Sequence, residues 1–301
     1  AIQSDVSDYI TVTRLETVKP VLRNGILEFG AIQNAESYTI YKTKLEDGKV
    51  VADFDNVVAT INASSELKFD LYSYFAGSAD TYNLTIIANA SKENYLSSFR
   101  SNNINFEILA TPTLYVEQGK LNWNSISNSA GYKLEFYKDS ALFDTFIFDK
   151  TILSYDAMKT SKGKVVESAN YEFRITALGE IELNSLGEIK DETVVMKSLT
   201  SPENACKAFK LQTPQKAFVE DGMLCLTQVN SNSGVSYYNL IINNKETEIN
   251  RNNLKFELSA QYGAGNYNFY YQAVGMSSTL SSNFSDDFDA IKLEASSAIY
   301  V

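Results

Sequence analysis

Along the chain, short runs in which apolar and polar residues alternate recur in a fixed order. One such run follows a glycine three times: Gly25-Ile26-Leu27-Glu28-Phe29, Gly119-Lys120-Leu121-Asn122-Trp123 and Gly222-Met223-Leu224-Cys225-Leu226. A period of two sends successive side chains to opposite faces of a strand, so Leu27 with Phe29, Leu121 with Trp123 and Leu224 with Leu226 are expected to face one core. Cys225 then falls on the outward face. A second alternating run comes next in each copy, Tyr38-x-Ile40, Tyr132-x-Leu134-x-Phe136 and Tyr238-x-Leu240. A Leu-x-aromatic-acid step follows at 67–70, 153–156 and 254–257. Last comes a run that opens on Tyr and ends on Ala, at 82–88, 171–177 and 267–273.

The ends of the copies repeat as well. Each opens with a Leu-x-Thr step, Leu15-Glu16-Thr17, Leu109-Ala110-Thr111 and Leu211-Gln212-Thr213, with Pro20, Pro112 and Pro214 close behind. Proline cannot donate to a strand ladder and suits an edge. Each closes with a turn, Tyr95-Leu96-Ser97-Ser98, Leu183-Asn184-Ser185 and Thr279-Leu280-Ser281-Ser282, followed by a last strand such as 104–108 or 193–196. Units of about 100 residues made of short one-faced strands read as two-sheet sandwiches. The fold class expected is therefore all-β: three tandem antiparallel β-sandwiches in an elongated array. Residues 15–108, 109–203 and 204–301 form the domains, and 1–14 are a linker or the last strand of a preceding repeat. Residues 9–15 read like 104–109, and 291–295 repeat the Leu-x-Thr opening, so a longer array is expected. Ser201-Pro202-Glu203-Asn204 is the expected hinge between the second and third copies.

Over almost the whole chain these residues resemble the fibronectin type III family. In that family the second strand carries a buried Trp, the third a Tyr, and the sixth begins Tyr-x-apolar-x-apolar-x-Ala. Trp123, Tyr132 and 171–177 match best, while Phe29 and Leu226 stand at the Trp position of the outer copies. The resemblance gives Trp123 and Tyr132 structural roles. It also implies that Tyr82, Tyr171 and Tyr267 each make a corner hydrogen bond to the backbone, a stability device.

Composition narrows the chemistry. The chain has 301 residues, 44% of them apolar and 12% aromatic, enough for packed cores. Thirty-seven acidic against 26 basic residues leave a net charge of −11, which repels a phosphate backbone and argues against nucleic acid as a partner. Histidine is absent, which removes Ser-His-Asp and Cys-His constellations and histidine metal clusters. Asp53 with Asp55, and Asp156 with Glu172, read as solvated charges rather than a glycosidase pair. Asp286-Asp287-Phe288-Asp289 lacks the spacing of a calcium loop. No cofactor and no catalytic residue are expected, and the chain is not read as an enzyme. No stretch approaches the roughly 20 apolar residues that a membrane span needs.

Candidates for ligand binding are the loop aromatics Tyr72, Tyr74, Phe75 and Tyr262, whose rings could stack on a sugar or anchor a protein. The two cysteines, Cys206 ahead of the third copy's first strand and Cys225 on its second, are spaced to allow one local bridge, with free thiols the default. The Asn-x-Ser/Thr triplets at Asn62, Asn83, Asn89 and Asn283 follow from composition and are not read as glycosylation sites. Abundant Asn, Lys, Ile and Tyr fit a bacterium of low GC content. The family resemblance implies non-catalytic spacer and adhesion modules of a cell-surface or secreted extracellular protein, a monomer within a longer chain, contacting a protein or carbohydrate partner. The alternatives are accessory modules of an extracellular carbohydrate-degrading enzyme whose catalytic domain lies elsewhere, and a receptor ectodomain.

Overall fold

Residues 10–23, 25–75, 78–179, 198–258 and 262–294 are described by a computed structural model. The chain divides into two compact units. One comprises Ala1–Thr111, Ile126–Gly131 and Ala177–Pro202, the other Pro112–Ser125, Tyr132–Thr176 and Glu203–Val301.

In the first unit a three-stranded sheet, ordered Val21–Arg23, Ile26–Glu28, Lys68–Asp70, faces a larger one ordered Lys49–Asn62, Ala35–Glu46, Asp80–Ala90, Ile104–Ile108, Ser198–Leu199. The alternation dictates the core. Leu22 and Leu27 come from the small sheet, and Tyr38, Ile40, Leu84, Ile86 and Phe106 from the large one. Tyr38 can be wholly buried because its hydroxyl accepts the Ile32 N–H at 2.6 Å.

The same arrangement recurs twice. Leu114–Glu117, Lys120–Trp123 and Ser154–Tyr155 form the next small sheet. Ala141–Asp149, Gly131–Lys138, Asn170–Leu178, Asn204–Lys210 and Thr279–Leu280 form its large partner. Between them Trp123 meets Tyr132 at 5.9 Å and Phe136 meets Phe173 edge-on at 4.6 Å. The last pair consists of Phe218–Glu220, Met223–Cys225 and Lys255–Phe256 against Lys245–Asn250, Val235–Ile242, Gly265–Gly275 and Phe288–Lys292. Leu224, Leu226, Tyr238, Leu240, Phe269 and Tyr271 fill its core.

The recurring glycines make the first hairpin of each small sheet. Gln118 and Gly119, at φ of 50° and 69°, join strands in the register Glu117↔Lys120, and Asp221 and Gly222, at 51° and 74°, join Glu220↔Met223. Two successive left-handed residues give a two-residue turn whose twist matches the strands, and the second position favours glycine.

Several expectations move. Asn204–Lys210 pairs antiparallel with the 170–175 stretch, Phe173 opposite Cys206. This is therefore the last strand of the middle sheet, and the third copy begins after Lys210 rather than at 204. Cys206 precedes the third copy's first strand, Phe218–Glu220, and itself lies in a strand of the middle copy's sheet. The segments 183–185 and 193–196, read as the middle copy's turn and last strand, lie outside the described residues. The turn's work is done by Leu199-Thr200-Ser201. Ser201 N–H donates to the Ala177 carbonyl at 3.0 Å, and Ala177 N–H donates to Ser201 Oγ at 2.9 Å. Within the segment expected as a hinge, Ser201 is tied to Ala177 and the next strand begins at Asn204. Cys225 is buried, 3% exposed, although it is Leu224 and Leu226 on either side of it that join the core cluster. Both cysteines are free thiols, so no bridge joins them.

Candidate functional site

The feature that all copies build is a backbone lock. Thr13–Arg14 runs parallel to Tyr95–Leu96, Glu107 and Ile108 to Ser198–Leu199, and Phe209 and Lys210 to Thr279–Leu280. Each pairing ends on the leucine of a Leu-x-Thr step. The N–H groups of Leu15, Leu109 and Leu211 donate to the carbonyls of Leu96, Leu199 and Leu280 at 2.9, 3.1 and 3.1 Å. All three donors are buried, 6%, 0% and 1% exposed.

Behind each lock stands a serine. Ser98, Ser201 and Ser282 accept through Oγ the N–H of Ala88, Ala177 and Ala273, each at 2.9 Å. Each hydroxyl donates onward to the next carbonyl, of Phe99, Pro202 and Asn283. The sequence pattern missed this lock in the middle copy, although its signal was present: Leu-Ser-Ser, Leu-Thr-Ser and Leu-Ser-Ser at 96–98, 199–201 and 280–282.

The candidate ligand aromatics separate. Leu71–Phe75 is a short helix, opened by Asp70, whose carboxylate accepts the Ser73 N–H at 3.0 Å. On it Phe75 is core, 7% exposed and 4.1 Å from the Tyr82 ring, so it cannot meet a ligand. Tyr72 is half-buried and its hydroxyl donates to the Ser201 carbonyl at 3.1 Å. Tyr262 is half-buried between Phe256 and Tyr267. Only Tyr74 offers a ring to solvent, 51% exposed and braced by Phe69 and Phe75 at 5.4 and 4.8 Å.

The corner tyrosines are anchors. The hydroxyls of Tyr82, Tyr171 and Tyr267 donate to the carbonyls of Ser78, Glu167 and Gly263, each four residues upstream, at 2.9, 3.2 and 2.9 Å. Trp123 is 2% exposed, with Nε1 lacking a hydrogen-bond partner.

In the second unit an open groove of about 430 Å³ is lined by Tyr137, Tyr171, Glu172, Lys207, Phe209 and Ser278 among others. Glu172 in its lining is paired: Arg174 donates to it at 2.7 Å and covers the Tyr137 ring at 4.3 Å, and Lys207 stands 3.9 Å away. Glu172 is thus held in an ion pair. Asp53 is held by Asn56 at 2.6 Å, a bond that keeps its carboxyl below the usual range, with Lys44 3.7 Å away. A carboxyl stabilised as its anion is a poor proton donor, so Asp53 is not set up as a general acid. Among the described residues no group of three His, Cys, Asp or Glu side chains could hold a metal. Lys210 differs from these groups: its side chain is 0% exposed and its ammonium has no hydrogen-bond partner, so burial pushes its pKa down to about 8.

No family model matches the chain, and no curated protein sequence matches it. Among solved structures it is similar to the FN1-FN3 domains of chicken CNTN1, with 14% identity over 93% of this chain and 98% of that one and a TM-score of 0.25. It is also similar to a two-domain fibronectin type III segment of chicken tenascin, with 11% identity over 65% of this chain and 98% of that one and a TM-score of 0.25. A third is the central fibronectin-III array of RIM-binding protein, with 11% identity, 95% and 99% coverage and a TM-score of 0.19. The fold rests on the chain's own strand order. Three times a three-stranded sheet faces a larger one, of five strands in the first two pairs, where the fifth comes from the next repeat's turn, and of four in the last, and the chain is all-β and fibronectin type III-like.

Proposed function

We propose that the chain is a non-catalytic, modular spacer and adhesion segment of a secreted or cell-surface protein, its modules running 15–108, 109–210 and 211–294. The observation that carries this reading is the lock. Within the second unit, Phe209 and Lys210 close one sheet and also pair with the serine turn of the next, so the junction is made of backbone hydrogen bonds rather than a free linker. Such a junction resists bending, which suits a spacer that presents something at its end. Adhesion rests on the exposed Tyr74 ring, able to stack on a sugar or a protein side chain, and on the open groove beside Tyr137.

The test is binding of the purified chain to glycan and extracellular-matrix arrays, with Tyr74→Ala and Tyr137→Ala alongside. Specific binding that either folded variant loses supports adhesion. Binding unaffected by both removes these two surfaces as the site, and no binding at all leaves the spacer role alone. Selective binding to plant or microbial polysaccharide favours an accessory role beside a carbohydrate-degrading domain.

A further inference from the structure

In the large sheet of the third copy, Tyr238, Leu240 and Ile242 of Val235–Ile242 belong to the core, which leaves Tyr237, Asn239 and Ile241 on the outward face. The register sets Glu248 and Gln272 on either side of Asn239, Glu246 and Tyr270 on either side of Ile241, and Val274 beside Tyr237. Ile241 and Val274 are buried although neither belongs to the core cluster, and the residue opposite each is a half-buried tyrosine. Side chains directly opposite on one face meet, so Tyr270 and Tyr237 lie against an apolar floor. Phe284 braces the Tyr270 ring edge-on at 5.4 Å. Four residues of strand separate the two tyrosine rows, which puts the rings about 14 Å apart with Asn239 between them.

The hydrogen-bonding groups between the rings are unspent. Among the described residues the side chains of Asn239, Glu246 and Glu248 and the hydroxyls of Tyr237 and Tyr270 make no hydrogen bond and no ion pair. Burial and the nearby Glu248 and Glu246 carboxylates hold the Tyr237 phenol above its ordinary pKa, so it stays protonated and able to donate. The other copies use the matching positions internally. Around Tyr38, Ser37 and Thr39 accept from Asn89 at 3.0 and 2.8 Å, and beyond Tyr132, Lys133 pairs with Glu135 at 3.5 Å. Only the third copy leaves these flanking positions open to a ligand.

We propose that this face binds a neutral, extended polysaccharide, its sugar rings stacked on Tyr237 and Tyr270 and its hydroxyls paired with Asn239, Glu246 and Glu248. A pyranose has an apolar C–H face and a rim of hydroxyls that both donate and accept, which matches two rings set about an amide and two carboxylates. Rings about 14 Å apart on one sheet face suit a linear chain rather than a single sugar. The glutamates repel an anionic glycan, and an apolar protein surface would bury them without partners. The inference deepens the adhesive part of the proposed function and uses neither Tyr74 nor Tyr137.

The test is isothermal titration of the full chain with hydroxyethyl cellulose, a glucomannan and an arabinoxylan, and with oligolysine as a cationic comparison. At least one polysaccharide should bind with little dependence on salt, and Tyr237→Ala and Tyr270→Ala should each weaken that binding at least about tenfold. In the parent chain the bound polysaccharide should shield Glu246 and Glu248 from carbodiimide labelling, a readout that needs no variant to fold. Binding to none of the three overturns the inference and leaves the spacer role standing. Glutamates that stay fully labelled, or oligolysine bound more tightly than any polysaccharide, overturn it as well. Binding lost in Tyr74→Ala or Tyr137→Ala but kept in the two face variants overturns it while preserving the adhesive reading.

Discussion

Ser282 and Ala273 exchange two hydrogen bonds: the serine N–H donates to the alanine carbonyl at 2.9 Å, and the alanine N–H donates to the serine Oγ at 2.9 Å. Both residues are buried, so replacing the hydroxyl leaves a backbone donor without a partner or water. Ser282→Ala is expected to cost about 1–3 kcal/mol. Ser98→Ala and Ser201→Ala should fall in the same range, since Ala88 and Ala177 are placed alike. Urea unfolding of the three variants checks this; a loss below about 0.5 kcal/mol in all of them would mean that the Ala N–H finds another acceptor.

The corner tyrosines should differ in worth according to burial. Tyr171 is 2% exposed and its hydroxyl bond to Glu167 is partly shielded, whereas Tyr267 bonds Gly263 at an exposed position. Tyr171→Phe is expected to cost about 0.5–1.5 kcal/mol, and Tyr267→Phe less. Denaturant midpoints of the two variants, measured side by side, decide the order.

Lys210 makes stability depend on alkaline pH in a defined direction. Burial lowers its pKa from 10.5 in the unfolded chain to about 8 in the folded one. Between those values the unfolded chain binds a proton that the folded chain does not, so stability rises as pH climbs from about 8 to 10.5. Below about 8 both forms are charged and the full cost of burying the ammonium is present. Lys210→Met keeps the stem and removes the charge, and is expected to stabilise the protein at pH 7 by on the order of 3 kcal/mol. Subtracting the variant's pH–stability curve from that of the parent removes the tyrosines, which titrate in the same region. A difference curve flat from pH 7 to 10.5 would show that the ammonium reaches water.

Two glycines with the same backbone twist should respond differently to a methyl group. At Gly222, φ is 74° and an added Cβ meets open space, so Gly222→Ala carries only the left-handed strain of about 1–2 kcal/mol. At Gly119, φ is 69°, and the Cβ would lie 1.9 Å from Ser281 Oγ and 2.9 Å from the Gly275 backbone nitrogen. The Gly119 carbonyl also accepts the Ser281 N–H at 2.8 Å. Gly119→Ala is therefore expected to be clearly the more destabilising of the two and to loosen the amides at 209–211 in hydrogen exchange. Equal costs would show that the Ser281 turn yields freely.

What the alternation shows, the fold follows. Tyr38, Leu134, Tyr238 and their period-two neighbours lie inside because a strand with one wet face has only that way to sort them. The residues that went astray are those whose partners are fixed by pairing rather than by polarity. Asn204–Lys210 reads as polar and irregular, yet it completes a sheet through its backbone. Phe75 and Tyr74 are neighbours of the same chemical type, and only the turn of a five-residue helix sends one to the core and the other to solvent. No side-chain pattern marks a leucine N–H that reaches a carbonyl near the far end of its own repeat. That is why the Leu-x-Thr step could be noticed in the sequence before its purpose could be given.

In the third copy a Cβ on Gly275 would stand 2.0 Å from the Thr279 carbonyl oxygen, and in the middle copy a Cβ on Gly179 would stand 2.2 Å from that of Ser198. The same contact thus closes three intervening positions, 276–278, in one repeat and the far longer stretch 180–197 in the other. The described residues on either side of the middle stretch, Gly179 and Ser198, stand together whatever the number of positions between them, and the cost of closing a connection grows only slowly with its length. For protein engineering the approach of Gly179 to Ser198 marks a place to graft, since a peptide inserted between them has both of its ends fixed at one point of the sheet.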